Sequence, residues 1–247
     1  MPRQALNKSL PVPVVETGAS PAPGWFGKVV MLGDFANRRL SPEFVGACDR
    51  WLSQGIAASR VQLGSRWLDT YLTGPLWRFA WTPGVIGAQW WFGTLMPSVD
   101  AVGRYFPLIV ASARQSAPAS VQTFDALAHW YQHVGQAALA TLLPGASLEV
   151  LEAQLAGAPL LRDETSAPPL ALELLSNRER FSLNTADLEA PSLQQWGEAL
   201  VWRVAMARYA GHSFWWPTQG PGEPVSLSVV PGLPDPDQFA LMLEGRW

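Results

Sequence analysis

The sequence predicts an α/β protein whose mixed, mainly antiparallel sheet is covered by helices. Two observations lead there: short apolar segments bounded by Gly/Pro turns alternate like hairpin strands, and longer segments beside them carry apolar residues at helical spacing. With 247 residues, of which 48% are hydrophobic and 15% charged, the chain can fill a sizeable core. No clean boundary separates two units, so residues 24–247 are predicted to form a single domain behind a flexible, Pro-rich tail of residues 1–23.

The segment GWFGKVVMLGDF, residues 24–35, opens the predicted domain and combines glycines with a lysine. A phosphate-binding loop of the Walker type needs Gly, four residues, then Gly-Lys-Ser/Thr, whose hydroxyl holds magnesium. Here only two residues separate Gly24 from Gly27, and Val29 has no hydroxyl. The sequence therefore favours a structural role, with glycines that permit a tight backbone path, a short buried strand over residues 28–32 and a turn at residues 33–34.

The next elements are a helix pair and three strands. A helix is predicted from Ser41 to just before Gly64, because serine can cap it and Pro42 fits its first position. A second, short helix is predicted over residues 67–72. Three strands follow as LWRFAW, QWWFGTLM and RYFPLIVASA, of which the first two should form an antiparallel pair.

The second half of the chain is predicted to continue with helices and strands. Further helices are expected over residues 147–155, 192–210 and 235–244, and strands in RERFSLN, SFWWPT and VSLSVVPG. The longest helix of this half is expected over residues 120–143, where an apolar stripe should face the core. Its members are Phe124, Leu127, Ala128, Tyr131, Val134, Ala138 and Leu142.

Charge and composition argue against several classes of function. The formal net charge is −3, from 17 basic and 20 acidic residues. The sequence has no long run of like charges that would indicate nucleic acid or a membrane surface as a partner. No apolar stretch approaches the roughly 20 residues of a membrane helix, and the start lacks a secretory signal, so we expect a cytoplasmic protein without membrane insertion. The only cysteine, Cys48, is expected to be a buried, inert thiol.

No motif in the sequence predicts a catalytic, cofactor-binding or metal-ligating residue. His129 and His133 share one helix face, but Trp130 stands where zinc proteases carry their glutamate base. A partly exposed polar helix face is the favoured interpretation of this pair. Gly-x-Ser-x-Gly, the nucleophile motif of many hydrolases, does not occur.

The segment MPSVDAVGRYFPL, residues 96–108, is the best candidate for a functional surface. Asp100 and Arg104 stand four apart, and a turn between two strands would present them at one edge of the sheet. The structural interpretation is an ion pair or capping network that holds the loop, and the functional one is contact with a partner, since Arg and Trp are enriched in interface hot spots. The candidate interaction or fold-motif residues are Asp34, Arg38, Arg39, Trp77, Arg78, Ser98, Asp100 and Arg104.

Three segments, GWFGKVVMLGDFANRRLSPEF, WLDTYLTGPLWRFAW and LMPSVDAVGRYFPL, resemble in order and spacing the TagF (ImpM) family of accessory proteins of bacterial type VI secretion systems. The resemblance is strong over residues 24–110 and loose over the remainder, and it does not cover the N-terminal tail or the loop near residues 163–169. It implies a single domain of three α/β/α layers, with an antiparallel-rich sheet between helices. It also implies a cytoplasmic repressor that acts after translation, binds the forkhead-associated (FHA) scaffold protein Fha and opposes a threonine kinase pathway. The family offers no established catalytic residues to carry over.

Three functions of different classes stay open at this point. The first is a non-enzymatic regulator that binds a scaffold protein. The second is a small hydrolase or phosphoryl-transfer enzyme that uses the edge around Asp100 and Arg104, and the third is a structural component of the secretion apparatus. The family segments and the missing active-site motifs favour the regulator.

Overall fold

An antiparallel sheet of seven strands forms the middle layer of the protein. The computed structural model describes residues 22–116, 121–161, 171–174, 181–184, 208–218 and 226–247. The strands are β1 (Gly24–Gly27), β2 (Ala36–Arg38), β3 (Trp77–Trp81), β4 (Trp90–Met96), β5 (Leu108–Arg114), β6 (Ala171–Leu174), β7 (Phe181–Asn184), β8 (His212–Pro217) and β9 (Ser228–Pro231). Their order in the sheet is β2-β1-β5-β4-β3-β8-β9, while β6 and β7 form a separate pair. Each described pairing is antiparallel, which confirms the predicted fold class.

Helices cover both faces of this sheet and complete the predicted three layers. The helices are α1 (Pro42–Leu63), α2 (Trp67–Leu72), α3 (Val121–Ala140), α4 (Leu148–Ala156) and the C-terminal helix (Phe239–Leu243), with short 3₁₀ turns at Gly64–Arg66 and Pro236–Gln238. One face of the sheet packs against α1 and the C-terminal helix, and the other packs against α3 and α4. We call these the α1 face and the α3 face.

Burial on both faces follows from the alternation of side chains along each strand. On β3, Trp77, Phe79 and Trp81 belong to the core of the α1 face, whereas Ala80 packs against the core of the α3 face. All seven residues of β4 are buried, since helices cover its two sides. The sheet therefore presents little of its central surface to water.

Ser41 and Gly64 mark the start and the end of α1, as the sequence predicts. Ser41 Oγ accepts a hydrogen bond from the Phe44 backbone N–H at 3.2 Å, and α1 ends just before Gly64, whose φ is 54°. A second cap lies at the start of α4, where Ser147 Oγ accepts a hydrogen bond from the Val150 backbone N–H at 3.3 Å. Such caps satisfy backbone donors that the first turn of a helix leaves unpaired.

The predicted strand over residues 28–32 is wrong: the strand lies earlier, at Gly24–Gly27, and residues 28–35 form a turn-rich loop. Gly27 has a φ of 136°, and a Cβ built there would stand 2.0 Å from the carbonyl oxygen of Pro107. Glycine is required at this close approach, and the strand ends where the backbone adopts this conformation. The short strand β2 was not predicted, and β5 begins at Leu108, just after Pro107 rather than around it.

The apolar stripe of α3 lies slightly off the predicted face. Phe124 and Leu142 are 55% and 45% exposed, and Ala128 is exposed too. Trp130 takes their place in the core because its ring buries more area than any of the three. The buried residues are Leu127, Trp130, Tyr131, Val134, Ala137 and Ala138.

Some predictions fall wholly or partly outside the described residues. These include the tail, except residues 22 and 23, and most of the helix expected over residues 192–210. The boundaries of the tail and of the single domain stay predictions. None of the helices in the described part of the chain is both long and apolar enough to cross a membrane.

Candidate protein-interaction site at one end of the sheet

Two loops meet at one end of the sheet and form the candidate site. One is the loop of residues 28–35 after β1, and the other is the loop of residues 97–107 between β4 and β5. Antiparallel pairing of Gly27 with Leu108 brings the loops together, and the Ala101 backbone N–H donates to the Leu32 carbonyl oxygen at 2.8 Å. Residues far apart in sequence therefore share one small cluster.

The carboxylate of Asp100 is the centre of this sheet-end cluster, which also contains Lys28 and Arg104. Asp100 Oδ2 accepts hydrogen bonds from Lys28 Nζ at 2.5 Å and from Arg104 Nε at 2.7 Å. Asp100 Oδ1 accepts from the backbone N–H groups of Val102 at 3.1 Å and Arg104 at 2.8 Å. The Asp100 side chain has no exposed surface, so hydrogen bonds from these four donors take the place of hydrogen bonds from water.

The pKa of the Asp100 carboxyl reflects two opposing effects. Burial alone would raise the pKa, but the hydrogen bonds from Lys28, Arg104 and Val102 stabilise the charged form and hold the pKa well below its ordinary value. The carboxylate is therefore ionised and weakly basic across the physiological range.

Buried polar contacts fix the base of the cluster. Lys28 is 3% exposed, and its Nζ lies 4.6 Å from the centre of the Phe35 ring. Ser98 Oγ donates to the Lys28 carbonyl oxygen at 2.7 Å, and the Tyr71 hydroxyl both donates to the Ser98 carbonyl at 2.9 Å and accepts from its N–H at 3.0 Å. Burial raises the pKa of Tyr71, so its hydroxyl stays protonated and can donate. Ser98 thus acts inside the loop base.

The outer side of the cluster faces solvent. The side chains of Arg104 and Asp34 are 54% and 79% exposed, while Phe35 and Val102 are 46% and 67% exposed. Arg104 Nη2 donates to the Gly33 carbonyl oxygen at 2.5 Å and lies 3.5 Å from Asp34 Oδ1. We call these four residues, Asp34, Phe35, Val102 and Arg104, the sheet-end surface.

Arg38 and Arg39 serve a different contact, at the β2 edge. Arg39 Nη1 lies 2.6 Å from Glu152 Oε2 on α4, Arg38 Nη1 lies 3.7 Å from the same oxygen, and Trp25 Nε1 donates to Glu152 Oε1 at 2.7 Å. Burial would raise the pKa of Glu152, but these donors lower it overall. The Arg39 guanidinium also donates to the Pro23 carbonyl oxygen at 3.1 and 3.0 Å. The two arginines therefore tie α4 to the edge strands.

Trp77 lies in the core and not on an interaction surface, because it is 3% exposed and its Nε1 donates to the Met242 carbonyl oxygen at 3.0 Å. It occupies an α1-face position of β3, and such positions are buried under α1 and the C-terminal helix. Arg78 is the next residue, so it points to the opposite, α3 face. The structure thus unites Asp34, Ser98, Asp100 and Arg104 but not Trp77.

Sequence reasoning missed Lys28 as a member of the cluster and Phe35 as a member of the sheet-end surface. The signal for Lys28 was present, because a lysine inside an apolar run is rarely buried unless it is paired. Phe35 packs 4.7 Å, centre to centre, from Phe106 and 6.2 Å from Phe26, a tertiary contact without a local sequence signal.

The histidine pair of α3 makes local contacts. His129 Nδ1 lies 2.9 Å from the Asp125 carbonyl oxygen, and His133 Nε2 lies 2.7 Å from the Gln154 carbonyl oxygen on α4. Within the described part of the chain, no three His, Cys, Asp or Glu residues group as metal ligands.

Comparisons with known proteins agree with the resemblance seen in the sequence. Residues 24–158 match the family model described as TagF N-terminal domain, type VI secretion system-associated. The crystal structure of PA0076 from Pseudomonas aeruginosa PAO1 superposes with a TM-score of 0.70 at 35% sequence identity, over 90% of this chain and 94% of that one. No curated protein matches the chain. The protein belongs to the TagF family and is associated with type VI secretion.

Proposed function

We propose that this protein is a non-enzymatic regulator that represses a type VI secretion system after translation, by binding an FHA-domain scaffold protein in the cytoplasm. Family membership supports the secretion system as its setting. The repression and the scaffold follow from the resemblance of residues 24–110 to the TagF family. The geometry supports binding over catalysis and supplies a surface on which to test it.

The observation that carries the proposal is the occupied carboxylate of Asp100. A general base must reach a substrate proton and have a pKa suited to take it. Both oxygens of Asp100 already accept two hydrogen bonds each, and the low pKa of the carboxyl makes it a poor base. The strongest enzymatic alternative uses Asp100 and Arg104 and needs Asp100 to accept a proton. The oxygens of Asp100 instead hold the loop, which disfavours this alternative.

The sheet-end surface has the features expected of a docking site. Arg104 and Phe35 are residue types found at interfaces, Arg above all in hot spots, and Val102 adds an apolar contact. The buried cluster below already holds the Arg104 guanidinium in place, so binding would cost less side-chain ordering. A partly exposed guanidinium on this fixed base suits an acidic or phosphorylated segment of the scaffold.

A titration tests occupancy against catalysis. If the protein acts by occupying the scaffold, half-repression should occur when its concentration is near that of the scaffold, or near the dissociation constant if that is larger. Secretion would be measured in cells, and complex formation with purified components. An enzyme turning over about once per second would repress far below one copy per target. Full repression at about a hundredth of the scaffold concentration would therefore contradict occupancy.

A matched pair of surface variants tests the location. Val102→Glu should weaken scaffold binding about tenfold or more, because it places a charge among the sheet-end contacts. Leu227→Glu is the control: Leu227 is 61% exposed and precedes β9, at the opposite edge of the sheet from β2. Both variants should keep the wild-type melting temperature. Equal loss of binding in the two variants, or none in Val102→Glu, would reject this surface.

A further inference from the structure

Arg78 occupies an unusual place for an arginine, in the middle of the sheet. It lies on β3, directly opposite Thr94 of β4 on one side and Trp216 of β8 on the other. Side chains of directly paired antiparallel residues share a face and stand about 4.5–5.5 Å apart at Cβ. The guanidinium stem and the Thr94 hydroxyl are therefore neighbours on the α3 face.

Neither side chain has a hydrogen-bond or ion-pair partner among the described residues. Arg78 is half-buried, its Nε is shielded from solvent, and no hydrogen bond or ion pair joins its guanidinium to the described part of the chain. Thr94 is 0% exposed, and its Oγ1 also lacks a partner. The nearby Tyr131 hydroxyl is engaged, because it donates to the Phe79 carbonyl oxygen at 2.5 Å.

Two other cations of the described residues, the buried Lys28 and the partly exposed Arg39, show what Arg78 lacks. Lys28 pairs with Asp100, and Arg39 pairs with Glu152. A shielded donor without an acceptor costs free energy, and the cost is larger for a charged group. An arginine and a threonine that both keep unused donors on one face point to an acceptor that comes from outside the described residues.

We propose that Arg78 and Thr94 form a binding site for an oxyanion, either a carboxylate or a phosphate group. The planar guanidinium can donate two parallel N–H bonds to two oxygens of such a group, and the Thr94 hydroxyl can donate to an oxygen. The partial exposure of Arg78 gives the ligand access from solvent. This site is separate from the sheet-end surface and does not depend on the proposed function.

The test uses inorganic phosphate and acetate as probes, each titrated to about 50 mM with sodium chloride holding the ionic strength constant. The melting temperature of the wild-type chain should rise along a saturating curve, by about 5–9 °C for a dissociation constant of about 1 mM and by about 2–4 °C for one of about 10 mM. A response to phosphate alone identifies a phosphate ligand, and a response to acetate identifies a carboxylate. Phosphorus NMR line broadening of phosphate gives an independent measure of binding.

Variants separate the site from the general stabilising effect of phosphate. Arg78→Met should abolish the saturating rise, Thr94→Val should shift it to higher concentration, and Arg50→Met should leave it unchanged. Arg50 is an exposed arginine of α1 and serves as the matched control. An equal rise in Arg78→Met would overturn the proposal as a general salt effect. Absence of any rise in the wild-type chain would overturn it as well, and a strong loss of stability in Arg78→Met would then assign the acceptor to this chain itself.

Discussion

A shielded cation has a carboxylate partner in the sheet-end cluster but no acidic partner among the described residues at the centre of the α3 face. At the sheet end, Lys28 finds the Asp100 carboxylate, because two loops there supply side chains and free backbone groups. In the centre of the sheet, Arg78 is surrounded by strands whose backbone groups already pair in the ladder. The surrounding fold thus decides whether each of these two shielded cations meets an acceptor among the described residues. Substitution of Lys28 or of Arg78 tests this difference.

The largest effect should come from the sheet end. Lys28→Met keeps the length and the apolar stem but removes the charge that faces Asp100. Loss of one partner of a buried pair leaves the other charge less well compensated, and we expect the melting temperature to fall by roughly 6–10 °C. A thermal melt followed by circular dichroism measures this. A change of less than about 2 °C would show that Arg104 and the backbone N–H groups satisfy Asp100 without the lysine.

The pH dependence of stability should depend on Asp100. Because its pKa is lowered in the folded protein, its contribution to stability is fully present above the ordinary carboxyl pKa of about 4 and is lost as the pH falls further, towards the folded value. Asp100→Asn should therefore flatten the decline of the urea unfolding midpoint between about pH 5 and pH 2.5.

Asp34→Asn is the control for that measurement. The Asp34 side chain is 79% exposed, and its contact with Arg104 is 3.5 Å long. This variant should keep the wild-type slope. A wild-type slope in Asp100→Asn would assign the acid sensitivity to other carboxylates.

Much of this fold could be predicted because its signals are local. Ser41, Pro42 and Gly64 mark the ends of α1, and turns bound β3 and β4. The strand at residues 24–27 was misplaced because its limit depends on the approach of Gly27 to the Pro107 carbonyl, across the sheet. Such long-range contacts leave no periodic pattern in the sequence.

The site was predictable only in part for the same reason. Asp100 and Arg104 stand at helical spacing in one loop, so their pairing could be proposed from sequence. The third member, Lys28, lies 72 residues from Asp100, and only the sheet brings them together. Trp77 and Arg78 are both candidate interaction or fold-motif residues in the sequence, but adjacent strand residues point to opposite faces.

A smaller effect is expected at the β2 edge, where the cation is partly exposed. The Arg39 and Glu152 side chains are 28% and 20% exposed and stand 2.6 Å apart. In a double-mutant cycle, Arg39→Ala and Glu152→Ala should couple by about 1 kcal/mol, less than a buried pair. Urea unfolding of the four proteins provides the coupling. Additive losses would mean that Arg39 is held by Pro23 rather than by Glu152.

The smallest effect should come from the centre of the α3 face. Arg78→Met makes the same kind of change as Lys28→Met, since it also replaces a shielded cation with an unbranched apolar side chain. In chloride buffer without phosphate or carboxylate, we expect the melting temperature to stay within about 2 °C of the wild type or to rise, because Arg78 has no ion pair to lose among the described residues. Thermal melts of both Met variants in the same buffer make the comparison direct. A loss from Arg78→Met as large as that from Lys28→Met would mean that the guanidinium has an acceptor within this chain, and the contrast between the two regions would fail.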